Sequence, residues 1–273
     1  MPNLSLKKLK QKKIRLSASY GKRRLYYFLT ALIATLLVLA GSFLDDILGI
    51  PYISLFVKFG LAWLAFMLAK QSGYLDPEGD GRLFSPCFLL ILPPLIFALL
   101  CYLGPFRPET NAYGIVLAVL GILSTALWEE LYFRLWGRIL FETEGQYRTV
   151  DMLFLALTFG AMHLVNLASA PFSTVIPQVM LAVVTALFLQ TLYAAGGSLR
   201  LVVVFHFLLN LTAGLVPQHL VPDAQSRLFP SLEGTALPLL ALYYVLAAAV
   251  LSRRKKLLSG GDFRLFKRKG KGR

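Results

Sequence analysis

Between residues 25 and 251 the chain is a succession of apolar stretches. Each is close to the ~20 residues a helix needs to cross a bilayer. Eight are read, at about 25–44, 51–69, 86–104, 112–138, 151–168, 174–195, 198–216 and 234–251. With 57% hydrophobic and only 15% charged residues, a chain of 273 residues is too apolar for a soluble domain. The expected fold class is all-α: a polytopic integral membrane protein with about eight transmembrane helices.

The charges are placed as such a topology requires. Of 28 Lys and Arg, nine precede residue 25 and ten follow Ser252, so the two tails make the net charge of +14. Basic ends beside apolar helices report orientation, and an even number of spans returns both ends to one side. Both termini are therefore expected in the cytoplasm. The tails should also be drawn to the anionic surface of the lipid bilayer, and no nucleic acid partner is expected. The run 25–44 is long enough to be kept as the first helix and not cleaved as a signal. Cys87 and Cys101 show no CxxC spacing and indicate neither a disulfide framework nor a metal cluster.

Four parts follow: a basic arm 1–24, N-terminal helices 25–111, a helical core 112–216, and residues 217–273 with the last loop, the final helix and the basic tail. Lys58, inside the second stretch, is expected to snorkel. Pro93-Pro94 should kink or split the third. His219 falls in a loop and is given no role.

The chemistry concentrates at Trp128-Glu129-Glu130-Leu131-Tyr132-Phe133-Arg134, directly after the uncharged run 114–127. A charged side chain at the centre of a membrane helix costs about 2.5–3.5 kcal/mol on the insertion scale, so three within six residues need partners or a purpose. On an α-helix Arg134 lies about 40° from Glu130 and about 140° from Glu129. Glu130 can pair with Arg134, and Glu129 is left needing something else. Both could also be interfacial charges on a helix that has left the membrane, since Arg138, Glu142 and Glu144 follow.

Two further apolar segments carry polar groups: His163 in the fifth, and His206 with Asn210 in the seventh. Either histidine could be a packing residue, and His206 with Asn210 could tie two helices together. Counting 1.5 Å per residue, His163 lies about 18 Å along its helix and His206 about 12 Å along its own, depths that permit a common site. Two histidines, a free glutamate and an amide in adjacent helices are the inventory of a water-activating hydrolase: a base, its partner, and donors for an oxyanion.

In that order, Glu129-Glu130-x-x-x-Arg134, Phe159-x-x-x-His163 and His206-x-x-x-Asn210 resemble the three signatures of the CAAX-protease and bacteriocin-processing superfamily. Its members are intramembrane endopeptidases related to the Ras-converting CAAX endopeptidase. Gly196-Gly197-Ser198-Leu199, entering the last motif, also fits. The resemblance covers about residues 115–215 and leaves 1–110 without a role. It departs from the family where Leu135-Trp136 stand between Arg134 and Gly137, since a glycine often follows the arginine directly.

The resemblance implies that Glu129 and His163 position and deprotonate a water, while His206 and Asn210 hold the oxyanion. Glu130 and Arg134 support the site by pairing. The implied substrate is a membrane-anchored protein or peptide, such as a prenylated CAAX tail or a leader peptide. The chain has no HExxH helix, and asparagine is a poor zinc ligand, so no cofactor is favoured; were zinc used, its ligands would be Glu129, His163 and His206. The competing functions are a non-catalytic membrane scaffold of the same fold and a proton-coupled transporter. The latter would call for inverted repeats or paired broken helices, and none stands out.

Overall fold

The structure, a computed structural model, describes residues 20–50, 52–71, 89–96, 112–142, 146–195, 198–215 and 232–255. Helix α1 is Tyr20–Leu48 and α2 is Ile53–Gln71. Helix α3 opens at Ala112–Glu129, passes through a π-helical turn, Glu130–Trp136, and returns to α geometry over Gly137–Phe141. Helix α4, Thr149–Met162, tightens into a 3-10 segment, His163–Ala168. Then come α5 (Phe172–Ala194), α6 (Leu199–Leu215) and α7 (Leu232–Lys255).

Among the described residues every regular element is helical apart from isolated bridges at 146–147, as an all-α membrane protein requires. The expected count of about eight spans is supported in part. Among the described residues five helices are long and apolar enough to cross a membrane: Tyr20–Leu48, Ile53–Gln71, Tyr113–Phe141, Thr149–Ala168 and Phe172–Ala194. Leu199–Leu211 and Pro238–Arg253 are apolar but shorter. The 17 residues of α6 extend ~25 Å at 1.5 Å each, short of a ~30 Å hydrocarbon core. Of the expected third span only 89–96 is described, with a short helical stretch at 92–96 across Pro93-Pro94. The rest of it, both cysteines, and residues 1–19 and 256–273 of the basic tails expected in the cytoplasm lie outside the described residues.

Helix α1 starts five residues earlier and ends four later than the hydropathy indicated, because its charged ends find partners. Arg24 donates from Nε and Nη2 to the fully buried Asp151 of α4, at 2.8 and 2.6 Å. At the other end α1 runs through Asp45-Asp46 and stops at Gly49, whose φ of +64° allows the Ile50 amide to reach back to the Asp45 carbonyl. The Asp45 carboxylate then accepts from the amides of Ile53 and Ser54, capping α2.

Two apolar cores meet at α3. One joins α1, α3 and α4 around Tyr27, Phe133, Phe141, Leu155 and Phe159. The other joins α5, α6 and α7 around Phe188, Leu192, Val202, Phe205 and Tyr244. The π turn lies between them, with Phe133 packed in the first core and Leu135 in the second. Helices α4 and α5 touch closely at Gly160, where a Cβ would stand 2.3 Å from Val183 Cγ2 and 3.1 Å from the Val179 carbonyl. Large apolar side chains such as Phe56, Trp63 and Phe172 point outwards, while Glu130, Arg134 and Asp151 are buried. This polarity suits a lipid solvent.

Candidate active site

Helix α3 carries its charges into the junction of the two cores. Glu130 and Arg134 are 0% and 1% exposed, so both charges are enclosed by protein. Arg134 Nε lies 2.9 Å from Glu130 Oε2, but its N–H points off that oxygen; the aligned hydrogen bond runs from Nη2 to Oε1 at 3.3 Å. The guanidinium also sits 4.7 Å over the Phe159 ring.

Glu130 is shared with α6. His206 Nδ1 stands 2.7 Å from Glu130 Oε1, and facing a carboxylate it is the donor. That contact orients the ring and turns Nε2 towards Glu129, whose Oε2 is 3.6 Å away. One imidazole therefore bridges two successive carboxylates. Ser198 caps the start of α6 by accepting from the Leu201 amide at 3.0 Å, which fixes the entry of the helix that delivers His206. Asn210, half-buried, follows one turn later on the same face.

His163 is the point at which α4 tightens into its 3-10 segment. Its Nδ1 lies 3.0 Å from the Phe159 carbonyl and so donates to it, which leaves Nε2 to act elsewhere. Phe159 is the common wall: its ring centroid is 4.9 Å from that of His163 and 6.3 Å from that of His206, with Arg134 over its face. The structure thus joins Glu129, Glu130, Arg134 and His206 directly, and brings in His163 across Phe159. Glu129 has His206 as its near neighbour, whereas sequence comparison had matched it with His163. Asn166, on the same segment, bonds to Gln178 on the outer surface.

Lys58, expected to snorkel, is half-buried on α2, and the charges acting on it are those of Glu129 and Asp45. Helix α2 packs against both α3 and its π turn, so this lysine faces the site from a part of the chain to which the motifs assign no role. No spacing could have shown it, because its neighbours are distant in sequence. Among the described residues no three His, Cys, Asp or Glu side chains are grouped to hold a metal ion.

Beyond the site, at the α3–α4 connection, burial and then Glu142 push the Tyr147 phenol well above the usual tyrosine range. It stays neutral and accepts a hydrogen bond from Gln190 Nε2 at 2.9 Å.

Residues 110–212 match the family model described as Rce1-like, type II CAAX prenyl endopeptidase Rce1-like. Neither the curated proteins nor the solved structures contain a match to the chain. The matched segment holds all three motifs and every residue that meets at the α3–α4–α6 junction, while α1, α2 and α7 lie outside it. Over residues 110–212 this membrane protein is thus similar to the Rce1-like type II CAAX prenyl endopeptidases, in keeping with the superfamily its motifs resemble.

Proposed function

We propose that the chain is an intramembrane endopeptidase, hydrolysing a peptide bond of a membrane-anchored protein or peptide with a water activated without a metal. The observation that carries the reading is the His206 bridge between two carboxylates, only one of which is paired with the buried Arg134. Glu129 is the base in this mechanism. It takes a proton from water as the water oxygen attacks the carbonyl carbon, and returns it to the leaving nitrogen. His163 Nε2 accepts the water's other hydrogen and orients it. His206, protonated at Nε2 as well as Nδ1, joins the Asn210 amide in donating to the oxyanion. Glu130 and Arg134 hold the His206 ring in place. Prenylated CAAX tails are the first substrate class to try, because the family match names a prenyl endopeptidase. Leader peptides are the second.

Purified protein in detergent, offered a panel of prenylated and membrane-anchored peptides, tests the reading. Glu129→Gln and His206→Ala should each lose at least about 100-fold in kcat/KM, with wild-type activity unchanged by a chelator. No cleavage by the wild type, or full activity in Glu129→Gln, rejects it. Activity lost to the chelator and restored by zinc would replace the metal-free mechanism.

A further inference from the structure

The π turn that carries Glu130 and Arg134 is held from outside the family-matched segment. A helix that passes from i→i+5 pairing back to i→i+4 pairing runs short of one amide donor, so one carbonyl near its exit needs another partner. Tyr27 of α1 supplies one to the carbonyl of Phe133: its hydroxyl donates at 3.2 Å in a fully buried position. A second tie lies one turn further along α1. The Tyr132 hydroxyl is hydrogen-bonded to Thr30 Oγ1 and donates to the Tyr27 carbonyl at 3.3 Å. The Tyr27 ring stacks on Tyr132 at 5.8 Å and meets Phe133 edge-on at 6.3 Å. Two hydroxyls and one carbonyl of α1 thus meet two consecutive residues of one irregular turn.

We infer that Tyr27 and Thr30 are positioning residues for the peptidase reaction, holding the π turn so that Glu129, Glu130 and Arg134 face His206. The inference rests on the catalytic reading above. A π turn contains about one residue more than the α-helix it interrupts. If it relaxed, the residues on one side would turn by about 100° and slide ~1.5 Å relative to those on the other. Glu129 and Glu130 stand at the entrance of the turn and Arg134 towards its exit, so their relative placement depends on keeping the extra residue. Both hydroxyls are engaged by α3, so binding should survive where turnover does not.

Four variants are compared on a prenylated peptide, with kcat and KM measured separately and melting followed in detergent. Tyr27→Phe keeps the ring and removes the hydroxyl; Thr30→Val removes a hydroxyl that Thr30→Ser retains. Tyr27→Phe and Thr30→Val should lose about tenfold in kcat with KM within about twofold, while Thr30→Ser stays within about twofold of wild type. Wild-type kcat in Tyr27→Phe, or an equal fall in Thr30→Ser and Thr30→Val, overturns the positioning role while the catalytic reading stands. Full activity in the fourth variant, Glu129→Gln, rejects the catalytic reading and the inference with it. Should Tyr27→Phe fail to fold, the Thr30 pair decides alone.

Discussion

Helix α3 contains two arginine–glutamate pairs four residues apart in sequence, and they should differ sharply in what they contribute to stability. Arg134 and Glu130 have side chains 1% and 0% exposed; Arg138 and Glu142 are 34% and 13% exposed. Replacing Arg134 by Met leaves Glu130 buried with only His206 as a partner. Breaking a buried pair on one side costs about 3–5 kcal/mol, most of it from the stranded charge. The same substitution at Arg138 leaves Glu142 able to reach solvent, and a partly exposed pair is worth about 1 kcal/mol. Arg138 also lies 4.9 Å over the Tyr193 ring, which Met can partly replace by packing. At roughly 2–4 °C per kcal/mol for a protein of this size, Arg134→Met should lower the melting temperature by about 6–20 °C, and Arg138→Met by about 2–4 °C. Thermal melts of purified protein in one detergent, read by intrinsic fluorescence at several scan rates, measure both. Adding Glu130→Gln to Arg134→Met should recover part of the loss, because the stranded charge is gone. Equal shifts for the two arginines, or no recovery in the double variant, would refute the account of Arg134 as the counter-ion of a buried carboxylate.

Two further outcomes follow from packing and hydrogen bonding. Gly160→Ala should destabilise by about 1–3 kcal/mol in the same melts, because its methyl would stand 2.3 Å from Val183 Cγ2, on a stiff β-branched side chain, and 3.1 Å from a backbone oxygen. Tyr147→Phe removes the acceptor of Gln190 Nε2 and should cost about 1–3 kcal/mol near neutral pH. The folded state also raises the Tyr147 phenol above its ordinary value of 10.0, so its contribution is present below that pH and is lost as pH climbs past it. Melting measured from pH 8 upwards should therefore fall less steeply in Tyr147→Phe than in wild type.

The sequence carried the helices because lipid enforces them: long apolar runs with charged ends are visible without any partner. It carried the Glu130–Arg134 pair for a similar reason, since both residues sit on one helix and their spacing alone brings them together. The π turn was hidden. Glu130-Leu131-Tyr132-Phe133-Arg134-Leu135-Trp136 has the hydropathy of the α-helix around it, and the turn depends on Tyr27 and Thr30, about a hundred residues earlier. The same distance concealed Lys58 beside Glu129 and Arg24 beside Asp151. Of the eight expected spans, five are long and apolar enough among the described residues, and most of the third lies outside them. Helix α6 is short and meets the site with its middle, at His206. Ordered motifs placed His163 and His206 on separate helices, but which of them approaches Glu129 depends on how those helices pack.

Charge accounting separates the two glutamates further. Glu130 accepts from Arg134 and from His206, so its negative charge is matched within its own contacts. Glu129 has His206 Nε2 at 3.6 Å, too long for a direct hydrogen bond, and the more distant charge of Lys58. An ionised carboxylate with so little local compensation is destabilising in apolar surroundings, and such groups persist at sites where chemistry needs them. The two neutral substitutions should therefore act in opposite directions. Glu130→Gln removes the partner of a buried arginine and should lower the melting temperature. Glu129→Gln removes an under-compensated charge and should leave it unchanged or raise it by up to about 2–4 °C, while abolishing turnover. Under the proposed mechanism Glu129 is kept at a cost that catalysis offsets, and Glu130 belongs to the frame that aims His206 at it. A matched loss of stability in both variants would mean that the two carboxylates share one structural role, and the base would have to be sought elsewhere.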